Sequence, residues 1–366
     1  MIKTILTVCL LGSVSFAGAQ NAQVFTLQDY YSDNPELHLS VDRIYANLNP
    51  HERVAQMIVT SLGKLGKPYE AVRPLLEQRR VGGIIFLSGE TEAFKSQIQE
   101  INQLSSEWPL IMSMDAEPSL FNRRIAGTPV MKPTSELATA SEISEVVEII
   151  DSVLHYVGFH QNFAPVVDLS NQNEAIGNRT FGADQKTVVP KAIQFISETQ
   201  EDQIVATAKH FPGHGRVAGD THKKLVYING DLTEAANYKD LINNGVLSIM
   251  VGHIAVENNK KYDTDGLPST LSPVIVTDLL RNEMGFRGLI ITDAMNMGAV
   301  SEIPEACSLA AKAGCDMILM PPDENETIES ILRMTYEDEA FQARAEESIK
   351  RIIRLKLCLG MRFSQI

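Results

Sequence analysis

Ile204-Val205-Ala206-Thr207-Ala208-Lys209-His210-Phe211-Pro212-Gly213-His214-Gly215-Arg216-Val217-Ala218-Gly219-Asp220-Thr221-His222 changes character at its midpoint. Its first five residues are small or β-branched and apolar, the pattern of a short buried strand. The remainder is broken by three glycines and carries three histidines, a lysine and an acid, so Lys209 and His210 fall at the strand's C-terminal end and a loop follows. In a barrel of parallel strands that end faces the active site. Asp220 lies two residues before His222, near enough to fix one tautomer of the imidazole and to stabilise its cation. A histidine–aspartate pair on a glycine-rich loop is a plausible proton-transfer device.

Working outward, comparable apolar runs occur at residues 57–62, 83–87, 110–114, 162–167, 204–209, 247–252, 289–293 and 317–320. Continuous apolar runs of this length suit parallel strands buried on both faces. Helical periodicity separates many of them, at 141–157, 187–200, 233–243, 273–284 and 303–313, and a last helix over 338–359 would close the ring. Eight strand–helix alternations predict an α/β fold, a single-domain (β/α)8 TIM barrel over residues 41–360. No Pro/Ser-rich linker, low-complexity block or repeat divides it. Residues 21–40 are polar with aromatic interruptions and no sustained period, which reads as an extended N-terminal arm over 20–40.

The chain opens on Met1-Ile2-Lys3, an apolar run from Thr4 to Phe16, and Ala17-Gly18-Ala19. That is the pattern of a signal peptide cleaved after Ala19, and the run is shorter than the ~20 residues a spanning helix needs. A periplasmic or secreted protein without a membrane span is expected. Cys307, Cys315 and Cys358 lie in apolar contexts without zinc-site spacing and read as ordinary core thiols. A net charge of −14 disfavours nucleic acid and anionic membrane surfaces as partners, and leaves neutral or weakly charged substrates open.

Lys209-His210-Phe211-Pro212-Gly213-His214-Gly215 followed by Asp220-x-His222 resembles the signature of the glycoside hydrolase family 3 β-N-acetylglucosaminidases. The likeness extends to Gly288-Leu289-Ile290-Ile291-Thr292-Asp293-Ala294-Met295, Asn178-Arg179-Thr180-Phe181-Gly182, Phe163-Ala164-Pro165 and Leu271-Ser272-Pro273, roughly residues 41–360, with no second sandwich domain. It implies a cofactor-free, metal-free retaining enzyme in which Asp293 is the nucleophile, His222 the general acid/base and Asp220 its dyad partner. It further implies sugar contacts from Asp115, Arg123, Arg179, Lys209 and His210, and a small oligosaccharide or muropeptide as substrate of a monomer. At Asp115-Ala116-Glu117-Pro118-Ser119-Leu120 the family's glycine pair and next arginine are missing, which puts the sugar contacts in doubt.

Other readings of the same residues stay open. Asp293 could cap the next helix, and Asp220-Thr221-His222 could be a solvated loop. Lys209 and Arg179 could pair with Asp115 or Asp168, while Asp168 could order neighbouring loops. His214 could shape the loop or touch substrate, and His253 could face the sugar or bond within the barrel rim. His155 and His160 carry no motif and read as structural or solvent-facing. A phosphorylase using phosphate as acceptor, a broader β-glycosidase and a non-catalytic sugar-binding barrel are the competing functions.

Overall fold

The computed structural model describes residues 25–170 and 173–363, so the expected leader, residues 1–19, lies outside them. Eight short parallel strands form the barrel: β1 (Ile58–Leu62), β2 (Gly83–Phe86), β3 (Ile111–Met114), β4 (Gln161–Asn162), β5 (Val205–Phe211), β6 (Ser248–Val251), β7 (Leu289–Thr292) and β8 (Ile318–Leu319). They pair in sequence order, with β8 against β1 through Ile58 and Ile318. A bridge between Ile291 and Met317 closes the ring. Every strand residue is buried, as expected where helices cover the outside and side chains fill the inside. Part of that filling is polar: Gln161 Nε2 donates to Thr207 Oγ1 at 3.0 Å and to Ser248 Oγ at 3.2 Å across the barrel.

β4 is shorter than the apolar run 162–167 suggests. Pro165 has no N–H for the ladder, so regular pairing stops and only Val166 bridges onward, to Thr180 and Lys209. β5 is longer than expected and contains a bulge between Lys209 and Phe211 in its pairing with β6. That extra residue resets the alternation. Thr207 and Lys209 face the barrel interior, whereas Phe211 turns outward onto Tyr238, ring centroids 5.0 Å apart.

Over the described part of the expected arm, residues 25–40, the chain is not extended. Asn34 accepts from the amides of Glu36 and Leu37, Pro35 takes the first helical position, and a helix runs over Pro35–Asn47 with Leu37, Val41 and Ile44 buried. Phe25, Leu27 and Tyr30 are buried as well. Arg354, on the closing helix Glu339–Cys358, donates to the carbonyls of Asp29 (3.1 Å), Tyr30 (2.6 Å) and Ser32 (2.5 Å) and so pins this segment to the barrel. Cys307, Cys315 and Cys358 are buried free thiols.

Candidate active site

The end of β3 delivers Asp115 and Glu117, and the interior-facing Lys209 of β5 reaches both: its Nζ lies 2.7 Å from Asp115 and 2.6 Å from Glu117. Arg179, on the turn Gly177–Arg179, closes on Glu117 with two parallel bonds of 2.7 and 2.8 Å. Burial of Glu117 works against its ionisation, but the charges of Arg179 and Lys209 outweigh burial and hold the carboxyl well below the usual range. Two cations and two carboxylates thus neutralise one another at the mouth. Asp115 and Arg179 each stay partly open, so each can meet a ligand hydroxyl.

Arg123 does not join this cluster. It is exposed, and its guanidinium donates to the carbonyl of Ser119 at 3.0 Å. The cation turned toward Asp115 is its neighbour Arg124, at 3.6 Å. A one-turn helix, Phe121–Arg124, carries both, and each residue along it rotates the side chain by about 100°.

His210 lies beside the cluster and donates from Nδ1 to Asp168 at 2.7 Å, which leaves Nε2 free. Asp168 also accepts from the backbone of His214 at 2.7 Å, so it orders the loop after β5. Burial disfavours its charge, yet His210 and His214 together keep the carboxyl below its ordinary value. Arg179 takes Glu117 as its partner, not Asp168. His214 is buried, with Nε2 3.2 Å from the Thr221 hydroxyl, so it braces the loop next to the dyad.

Asp293 follows β7 and is half-buried. The next helix starts only at Ala306, which removes the capping role that its sequence position allowed. Burial opposes ionisation of Asp293, but His210, His253 and the Ala294 amide, 2.8 Å from Oδ1, outweigh it and favour the carboxylate. His253 is fully buried, bonded to the Thr270 hydroxyl at 2.8 Å and donating to the Ala294 carbonyl at 3.0 Å. It therefore belongs to the rim behind Asp293. His160 accepts from the Met112 amide at 3.0 Å, and His155 donates to the Asp202 carbonyl at 2.7 Å, both structural roles.

His222 Nδ1 donates to Asp220 Oδ1 at 2.7 Å, and the His222 amide bonds the same oxygen at 3.0 Å. Partial burial resists ionisation of Asp220, but those two bonds prevail and keep it an anion. The imidazole is 63% exposed, so Nε2 can meet an incoming molecule. Backbone contact links dyad and carboxylate: Gly298, in the segment after Asp293, donates to the His222 carbonyl at 3.2 Å, and a Cβ on Gly298 would come within 2.8 Å of the Lys223 carbonyl oxygen. Beneath the loop, Val217, Val226 and Ile254 form a small separate apolar cluster.

Three residues here escaped the sequence reading as site residues. Glu117 was legible, since an acid two positions after Asp115 beyond a barrel strand can turn to the same cation. Arg124 was hidden by the unknown rotation of a four-residue helix. Glu234 reads as an ordinary acid in a helical first turn, yet it is buried and accepts three backbone amides from two loops.

Residues 50–355 match the Glycosyl hydrolase family 3 N terminal domain. A beta-N-acetylglucosaminidase/beta-glucosidase of Cellulomonas fimi is 30% identical over 300 residues, which cover 77% of this chain and 53% of that protein, so the chain spans about half of its length. A beta-hexosaminidase of Vibrio cholerae serotype O1 is 31% identical over 263 residues, 68% of this chain and 77% of that one. The solved structure of a glycoside hydrolase family 3 beta-N-acetylglucosaminidase from Paenibacillus sp. aligns with a TM-score of 0.77 at 28% identity, over 86% of this chain and 63% of that chain.

Proposed function

The chain belongs to glycosyl hydrolase family 3 and is a glycoside hydrolase of the β-N-acetylhexosaminidase class; from that premise we propose that it is an exported, monomeric exo-enzyme removing a terminal non-reducing GlcNAc residue from peptidoglycan fragments or chitooligosaccharides. The observation that carries this reading is the Asp220–His222 pair, 2.7 Å apart, on a loop whose backbone touches the segment after Asp293.

In this reading Asp293 attacks the anomeric carbon while His222, protonated, gives its Nε2 proton to the leaving oxygen, so a glycosyl–aspartate ester forms as the glycosidic bond breaks. His222, now neutral, takes a proton from water. The water oxygen attacks the anomeric carbon and Asp293 leaves as carboxylate. Asp220 keeps the Nδ1 proton in place and stabilises the imidazolium. Asp115, Arg124, Arg179, Lys209 and His210 hold the sugar hydroxyls.

Turnover of a chromogenic β-GlcNAc glycoside, measured beside its glucose counterpart, tests the assignment. Strong preference for the acetamido sugar is expected, and equal turnover of both would make the chain a broader β-glycosidase. A second reading, phosphorolysis, draws on the acid/base itself: a neutral imidazole does not repel a phosphate acceptor as a carboxylate would. Product release that requires phosphate would establish it.

A further inference from the structure

The loop carrying the dyad leaves the barrel after Phe211, and its first residues have no ladder to hold them. Glu234 supplies that support. Its Oε2 accepts from the amides of Leu169 (2.6 Å) and Gly215 (3.2 Å), and its Oε1 accepts from Arg216 (2.9 Å). The fit around it is tight. Gly213 has φ +130°, and a Cβ there would lie 2.3 Å from the Glu234 Cβ, while a Cβ on Gly215 would lie 2.5 Å from the Leu169 carbonyl oxygen. Asn173 holds the opposite polarity of the same stretch, donating to the carbonyls of His214 (3.0 Å) and Val217 (2.7 Å).

On these contacts, and on the reading of His222 as the acid/base, we propose that Glu234 is the positioning residue for proton transfer. It fixes the root of the loop, residues 213–217, and so sets where Asp220 presents His222. It touches neither the dyad nor the sugar, and acts only through the backbone. A carboxylate suits the task because it offers acceptor sites on both oxygens, whereas a glutamine would set its own NH2 against at least one of the three amides. Charge-assisted bonds to backbone N–H are also stronger than neutral ones. Burial and the charge of Asp168 push the Glu234 carboxyl up, so assays belong on the alkaline side, at about pH 8, where the carboxylate form is favoured.

The experiment compares the unaltered chain with Glu234→Ala and Glu234→Gln on two β-GlcNAc glycosides, one with an alkyl leaving group and one with an acidic phenol, and follows hydrogen exchange of the amides in 213–222. A displacement of about 1 Å can cost 10²-fold in rate, so kcat on the alkyl glycoside should fall roughly 10–100-fold in the alanine variant and less in the glutamine variant. KM should stay within about twofold, and glycosylation by the phenol substrate, which needs little acid, should lose far less. Exchange should quicken in 213–222 while the amides of β5 and β6 keep their protection. Equal kcat losses on both substrates, or a raised KM with unchanged kcat, would overturn the proposal. Should the alanine variant fail to fold, the glutamine variant carries the same comparison. An unaltered chain that turns over neither glycoside would refute the hydrolase reading instead, and unchanged exchange in both variants would refute the role of Glu234 in fixing the loop independently of it.

Discussion

Glu117 and Arg179 form a two-pronged ion pair, at 2.7 and 2.8 Å, and Lys209 shares the Oε1 prong at 2.6 Å. A buried carboxylate between two cations contributes little net stability while intact, because desolvation offsets the attraction, but removing it strands the Arg179 guanidinium and leaves Lys209 with Asp115 alone. Glu117→Gln should therefore destabilise the barrel by about 3–5 kcal/mol at neutral pH. The sign with pH follows from a folded pKa held below the ordinary 4.5: the stabilisation is present above that value and is lost as pH falls through it toward the folded pKa. Melting curves of both proteins should differ most at neutral pH, and the difference should begin to shrink only as pH falls below about 4.5.

Arg124, not Arg123, should matter to the sugar. Arg124→Ala removes the cation 3.6 Å from Asp115, and kcat/KM should fall about tenfold or more, the value of one charge-assisted hydrogen bond to a sugar hydroxyl. Arg123→Ala removes an exposed side chain bonded to a local carbonyl and should change kcat/KM less than about threefold. Parallel kinetics on one GlcNAc glycoside decide between them, and a reversed order would mean that this short helix rotates when substrate binds.

The barrel was legible because most of its strands are buried on both faces and so appear as largely apolar runs, β4 with Gln161 and Asn162 being the exception. Lys209, His210 and Asp293 were legible because they stand where such runs end, and Asp220 and His222 because they lie close together on the glycine-rich loop that follows one of them. The reading failed where position depends on rotation or on distant chain. Leu37, Val41 and Ile44 do follow a helical spacing, but polar neighbours mask it, and only Asn34-Pro35 marks the start. Arg123 and Arg124 differ by one step of a single turn. Glu234 meets Leu169 across 65 residues, and nothing local announces that contact.

Proton transfer provides the sharpest test of the dyad. His222→Ala should slow cleavage of a disaccharide by roughly 10²–10⁴, and glycosylation by an acidic phenol glycoside much less. Asp220→Asn should move both the same way more weakly, because the asparagine can still accept from Nδ1 but adds no charge. Asp293→Ala should abolish turnover, and an activated fluorosugar should label Asp293 in the unaltered chain. A label on another acid would displace Asp293 from the nucleophile's role.

Ser119 occupies the second position of the missing glycine pair, and it has a structural task there. Its hydroxyl accepts from the Thr134 amide at 2.8 Å and donates to the Asn178 carbonyl at 2.8 Å, tying the loop after β3 to the turn that carries Arg179. Restoring the glycines with Pro118→Gly and Ser119→Gly together cuts that tie and frees the backbone beside Asp115. KM for a GlcNAc glycoside should rise several-fold with kcat nearly unchanged, since the catalytic pair stands on other loops. A fall in kcat at constant KM would show that this loop acts in the transition state.

Asp151 lies on the helix Ala140–Val157, buried, with the Thr199 hydroxyl beside its carboxyl and no cation paired with it among the described residues. Burial, aided by the charge of Asp202, pushes its carboxyl up from 3.8 to about 7. A folded pKa above the unfolded one means that the folded protein binds the extra proton between those values, so rising pH drains stability across that window and the full penalty stands above it. Asp151→Asn removes the ionisation and keeps the shape. Its melting temperature should exceed that of the unaltered chain by several degrees above pH 7, reflecting a few kcal/mol, and the gain should shrink steadily to nothing near pH 4. A gain that persists unchanged at pH 4 would trace the effect to packing rather than to charge.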